Sequence, residues 1–161
     1  MADITITVAI SDVFKEVARR SAVITETDPF YANMSTEKRQ KSQLHGEGDR
    51  ITTDFTKEAA KEVHKAYLNR QGDVAGVAYE YDLSDSGNIV YRFSESDDPL
   101  STNMTDAITA RLTRNTRDAI IYYILVSLHR TDGNENKRAE ELSKALELID
   151  NLTGDLYRLH D

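Results

Sequence analysis

Cysteine is absent from this 161-residue chain. No disulfide framework and no thiolate zinc site can therefore hold the fold, which must rest on burial and hydrogen bonding. Proline occurs only twice, at Pro29 and Pro99, and each reads as a breaker of regular structure. The start, Met1-Ala2-Asp3-Ile4-Thr5-Ile6-Thr7, lacks a basic region and a long apolar stretch, so no secretory signal is expected. The densest apolar run, Ala119 to Leu128, is bounded by Arg117, Asp118, His129 and Arg130. It falls well short of the roughly 20 residues needed to cross a bilayer, and it reads as core with no membrane partner. Positive charge is also short. A formal net charge of -8 opposes non-specific capture of a nucleic-acid backbone by the surface as a whole.

Recognisable chemistry is missing as well. His45, His64, His129 and His160 are scattered, with no spacing that sets two ligands on one helix face. Surface or helix-end positions account for them, and His129 would be favoured at a helix end through the dipole. No nucleophile elbow, P-loop or dinucleotide fingerprint is present. The segment Asp82-Leu83-Ser84-Asp85-Ser86-Gly87 imitates the start of a calcium loop, but Phe93 stands where the bidentate carboxylate belongs, so it reads as a turn. The pairs Glu140-Glu141 and Asp97-Asp98 are adjacent in sequence, and adjacent residues on a helix diverge. No catalytic, cofactor or metal residues are expected.

What is present is helical periodicity. Val8, Ile10, Val13, Phe14, Val17, Ser21 and Ile24 predict a first helix from about Thr7 to Ile24. From Thr25 to Arg50 the pattern dissolves into polar residues, a long loop for a compact domain. It is either a segment that orders against a partner or a loop with a short helix near Ser35 to Gln43. Thr52, Thr53 and Asp54 offer caps for a second helix carrying Phe55, Ala59, Val63 and Ala66/Tyr67, closed by Gly72. Val77 to Leu83 and Ile89 to Ser94 alternate around Ser84 to Asn88 and predict a β-hairpin. A lone hairpin is marginal, so its aromatic face, Tyr79, Tyr81, Tyr91 and Phe93, must pack on the helices or on another chain. Ser101 to Asn103 can cap a third helix ending near Arg130. After Thr131 to Asn134, a fourth carries a short heptad seam at Leu142, Ile149 and Leu156 with Ala145, Leu152 and Leu159. Gly154 predicts fraying or a turn from Leu156 to Asp161.

The fold class is therefore mainly α (α+β): a four-helix core with one β-hairpin, at about 76–95, inserted between helices two and three. Residues 1–161 form one domain, with a polar loop at about 25–50. Arg111, Arg114 and Arg117 recur at i, i+3 and i+6, roughly along one helix side. That stripe could meet a phosphate or an acidic partner, or it is a solvated face with carboxylate partners such as Asp106 and Asp118.

The order of helix, polar loop, Asp49-Arg50-Ile51-Thr52-Thr53-Asp54 helix, aromatic hairpin and two further helices resembles small virion proteins of crAss-like and related Bacteroidetes phages or prophages. The segment Asp12-Val13-Phe14-Lys15-Glu16-Val17-Ala18 fits their N-terminal helix, and the match covers most of the chain in order. The long Thr25 to Gly48 segment departs from that pattern. The resemblance implies a non-enzymatic head-to-tail connector or ring component, made in the host cytoplasm and incorporated in the virion. Its partners would be further copies of itself in a ring, the portal, and neighbouring tail or ring proteins. It would read no nucleic-acid sequence and would meet DNA only as it passes through the channel. Two other readings stay open: a cytoplasmic helical interaction module that dimerises through the seam of the fourth helix, and an enzyme with an unrecognised site beside the hairpin.

Overall fold

Threonine alternating with isoleucine and valine at the start of the chain makes a strand, β1 (Ile4–Ala9). The helical spacing expected from Thr7 is overruled by period two: Thr5 and Thr7 are exposed, while Ile6 and Val8 are buried on the other face. The helix α1 begins only at Ile10 and runs to Thr27 (Ile10–Thr27). The computed structural model describes residues 4–46, 49–71, 77–82, 86–93 and 102–160. The remaining elements are α2 (Thr36–Lys41), α3 (Arg50–Gln71), β2 (Val77–Tyr81), β3 (Asn88–Phe93), α4 (Thr102–Asp132) and α5 (Glu135–His160). The protein is mainly helical with a small antiparallel sheet, so the α+β class holds.

The hairpin does not stand alone. β1 pairs antiparallel with β3 on the side opposite β2, giving the order β1-β3-β2. Val8 opposes Ile89 and Ile6 opposes Tyr91, and all four side chains are buried. A third strand and a helical floor supply what a two-stranded ribbon lacks. At the turn, Asp82 N–H donates to the Asn88 carbonyl at 3.0 Å. A Cβ built at Gly87 would lie 2.0 Å from the Asp82 carbonyl oxygen, so only glycine fits there. Residues 83–85 of the imitated calcium loop lie outside the described residues.

The apolar run of α4 is the buried axis of the molecule. Ala119, Ile120, Ile121, Ile124 and Leu125 have no solvent exposure, and each aliphatic side chain of the larger kind contributes about 1.5–3 kcal/mol by leaving water. α5 returns antiparallel through a glycine-based stop. Gly133 has φ +78, and Asn134 N–H donates to the His129 carbonyl at 2.9 Å, the bond pattern of a Schellman ending. Asn134 then caps α5, its Oδ1 accepting from Lys137 N–H at 3.3 Å. The helix continues through Gly154 to His160, so the turn expected from Leu156 does not occur: one internal glycine costs only about 1 kcal/mol.

The segment expected as a long polar loop is ordered by the chain itself. α1 extends to Thr27, a 3-10 turn covers Pro29–Tyr31, and α2 is the short helix that was one of the two readings for this stretch. Tyr31 and Leu44 are buried anchors at 0% and 1% exposure. Leu44 N–H donates to Ser21 Oγ at 2.9 Å, and Gln43 Nε2 donates to Thr25 Oγ1 at 3.2 Å. The start of α3 also shifts from expectation. Asp49, not Thr52 to Asp54, is the cap: its carbonyl accepts from Thr53 N–H at 3.0 Å and its Oδ1 from Ile51 N–H at 3.2 Å. Its Oδ2 accepts from the buried Thr52 hydroxyl at 2.6 Å and from His45 N–H at 3.1 Å. Burial works against the charge on Asp49, but these bonds outweigh it and hold the carboxyl below its ordinary range.

Candidate functional site

The residues expected to form contacts separate into core and surface. Tyr91 lies at the centre of the sheet with no solvent exposure. Its hydroxyl donates to the Ala60 carbonyl on α3 at 2.7 Å, and its ring meets that of Tyr67 edge-on at 5.4 Å. This places Tyr91 in the joint between hairpin and helix instead of on an outer interface, because β3 is the middle strand and its inward positions have nowhere else to go. Tyr81, on β2, is 39% exposed and remains a surface residue. Tyr79 opposes Tyr91 and Phe93 opposes both Ile4 and Val77 in the ladders, while the side chains of Tyr79 and Phe93 lie outside the described residues.

The arginine stripe is not a continuous cationic edge. Arg111 and Arg114 are exposed, whereas Arg117 is half-buried with its guanidinium 3.2 Å from Asp118 Oδ1. Arg114 and Arg117 border a groove of about 540 Å³ between α4 and the end of β1. Its other walls are Thr7, Val8, Ala9 and Asp12 on one side and Asp106, Thr109, Ala110 and Thr113 on the other. Asp106, expected as a partner for the stripe, shares this groove, and Asp118 makes the ion pair. A second groove, of about 610 Å³, runs between α3 and α5 over α4. Leu142 and Leu146 border it with Ala59, Tyr123 and Val126, under a mixed rim of Glu58, Lys61, Glu62, Lys65 and Arg130.

A buried polar cluster escaped the reading of the sequence. Where α1 ends, Asp28 caps the 3-10 turn, its Oδ1 accepting from Phe30 N–H at 3.0 Å. Its Oδ2 accepts from Asn134 Nδ2 at 3.3 Å. The Tyr31 hydroxyl donates to Asp132 Oδ2 at 2.8 Å and lies 3.5 Å from His129 Nδ1. Burial, with Asp132 beside it, pushes the Tyr31 hydroxyl above its ordinary range. His129 has no solvent exposure, and desolvation holds its pKa down at about 4. It is thus a neutral imidazole at pH 7, not the dipole-stabilised cation expected at a helix end. The sequence signals were the Phe30-Tyr31 pair within a polar stretch and a histidine at the border of an apolar run. None of these five side chains lines the grooves described above, and their bonds join three chain segments, which makes the cluster a structural clasp.

The adjacent pair Glu140-Glu141 diverges as helix geometry requires. Glu140 is exposed, and Lys137 and Lys144 hold its carboxyl below the ordinary value. Glu141 is buried and shifted upward by desolvation. Among the described residues, no group of three or more His, Asp or Glu side chains is placed to hold a metal ion. No helix among them is long and apolar enough to cross a membrane. Comparison with protein-family models, with curated proteins and with solved structures returns no match.

Proposed function

We infer that this chain is a non-enzymatic virion protein, a head-to-tail connector or ring component that assembles around the portal–tail axis and helps to form the DNA channel. What supports the reading is the phage resemblance of the sequence, to which the structure adds a strand before the first helix and a short helix within the expected loop. The helix that opens at Asp49, the hairpin and the two long helices are joined through Tyr91, Tyr67 and the α4 axis. A ring subunit needs such a rigid helical body, with contact elements set at its margin. Tyr81, Arg111 and Arg114 occupy that outer position here. The net charge of -8 suits a wall past which DNA moves without being held.

The competing dimer reading placed an interface on the seam of the last helix. Ala145, Ile149 and Leu152 of that seam are 0%, 5% and 1% exposed, so they are consumed by the protein's own core. Leu142 of the seam borders the groove beside α3, and the side chains of Leu156 and Leu159 lie outside the described residues. The connector reading is tested by mass spectrometry of purified particles. It predicts this chain among the structural proteins at a fixed copy number relative to the portal, and its absence from particles would overturn the reading.

A further inference from the structure

His129 is completely buried near the end of α4, in a joint where three segments meet. The turn after α1 presents Asp28 and Tyr31 to it, α4 itself presents Asp132, and the start of α5 presents Lys137 and Glu140. The Tyr31 hydroxyl has one proton, which goes to Asp132 Oδ2 at 2.8 Å. His129 Nδ1 lies 3.5 Å from the same hydroxyl oxygen, so it is the nitrogen that carries the proton of the neutral ring. Nε2 is left bare and buried, with no hydrogen-bond partner among the described residues. A bare ring nitrogen is tolerable there. An imidazolium would place a second N–H, and a charge, against no acceptor, so the closed joint has no place for that proton.

Of the segments around His129, the turn is the one held lightly. α4 and α5 are packed together along their length through Ile120, Ile124, Leu128, Ile149 and Leu152, all buried. In the Pro29–Tyr31 turn only Tyr31 is buried, α2 behind it buries nothing, and Met34 between them is half-buried. The next firm hold on α1 comes at Gln43 and Leu44, whose Nε2 and N–H donate to Thr25 Oγ1 and Ser21 Oγ at 3.2 and 2.9 Å. Residues 29–41 are therefore fastened at two ends, and the fastening at one end is the residue that touches His129. Segments with few buried contacts are those that open without global unfolding.

We propose that the turn carrying Tyr31 is a proton-released latch: a proton taken up by His129 expels Tyr31 from the joint and frees residues 29–41, while α3, α4, α5 and the sheet stay folded. Burial is the largest influence on the closed ring and holds it down at about 4, against the pull of Asp132, Asp28 and Glu140 and with the opposition of Lys137. Once the joint opens to water the ring returns towards about 6.5. The open form then binds the proton more tightly, so opening gains ground as pH falls below about 6.5 and levels off below about 4. The inference stands on the buried joint and is independent of the ring reading.

The test is amide hydrogen exchange followed by NMR on the full chain at about pH 7 and about pH 4.5. After correction for intrinsic rates, protection of Tyr31, Ala32 and Met34, whose N–H groups close the turn, should fall about fiftyfold, while that of Ile120 to Leu128 holds. His129→Gln, uncharged across this range, should abolish the fall. His45→Gln, at an exposed position, should leave it intact. The proposal is overturned by an equal fall in His129→Gln, by no fall in the wild type, or by an equal loss along α4, which is global unfolding. If the glutamine variant does not fold, the ring nitrogen shifts of wild-type His129 decide. They must report protonation over the same pH range in which the turn loses protection, and an imidazolium formed beneath a turn that is still protected overturns the latch.

Discussion

The Tyr31 hydroxyl donates to Asp132 Oδ2 at 2.8 Å, tying the turn after α1 to the C-terminal end of α4. With Asp28 bonded to Asn134 at 3.3 Å, it closes the long N-terminal excursion onto the α4–α5 corner. Burying Tyr31 completely is tolerable only because its hydroxyl has these partners.

Tyr31→Phe should therefore cost about 1–2 kcal/mol, since it removes the hydroxyl partner of the half-buried Asp132 carboxylate while preserving the ring. Denaturant melts should show a lower midpoint with the slope unchanged. An unchanged midpoint would mean that the clasp carries no stability.

Acid should loosen the same corner. The folded state holds His129 down at about 4 against an unfolded value near 6.5, so the unfolded chain takes up the proton first. This contribution is complete above about pH 6.5, falls as pH drops towards 4 and is exhausted below it, a loss of at most about 3 kcal/mol. His129→Gln should flatten stability against pH across that window. Glu16, bonded to Arg19 and Arg20 and held down at about 2, acts lower: its contribution is present above its unfolded pKa and is lost as pH falls through about 2.

The two hairpin tyrosines should behave oppositely. Tyr91→Ala removes a buried ring and the bond to Ala60 and is expected to cost about 3–5 kcal/mol. Tyr81→Ala, at a position 39% exposed, should change folding by less than about 1 kcal/mol. Thermal melts of the pair decide it, and similar losses for both would contradict the placement of Tyr91 alone in the core.

Much of this architecture could be read from residues near one another in sequence. The Ala119 to Leu128 run announced a buried axis, and the hairpin showed itself by alternation around a glycine turn. β1 was hidden because Val8, Ile10, Val13 and Val17 also satisfy helical spacing, and the pairing that decides for a strand comes from β3, far along the chain. The ordering of residues 25–46 was equally non-local. Ser21, Thr25 and Phe14 on α1 receive Gln43, Leu44 and Gly46, and no composition rule identifies such receivers. For the same reason the sequence left two places for Tyr91, against the helices or against another chain: its inward position depends on β3 being the middle strand.

Gly46 sits at φ +94, and a Cβ added there would approach Phe14 Cβ to 3.2 Å. Gly46→Ala should lower stability by about 1–3 kcal/mol, from left-handed backbone strain and the crowding of Phe14 together. Asp49→Ala should cost about 0.5–2 kcal/mol through the lost cap of α3. Both are read by calorimetry, and a neutral Gly46→Ala would contradict the docking of this loop on α1.

The connector reading is examined most directly by light scattering coupled to size exclusion of the full chain mixed with its portal protein. The account predicts a discrete species whose mass corresponds to a closed ring of this chain bound to portal. A chain that remains strictly monomeric, and never enters the portal-containing peak, would contradict it.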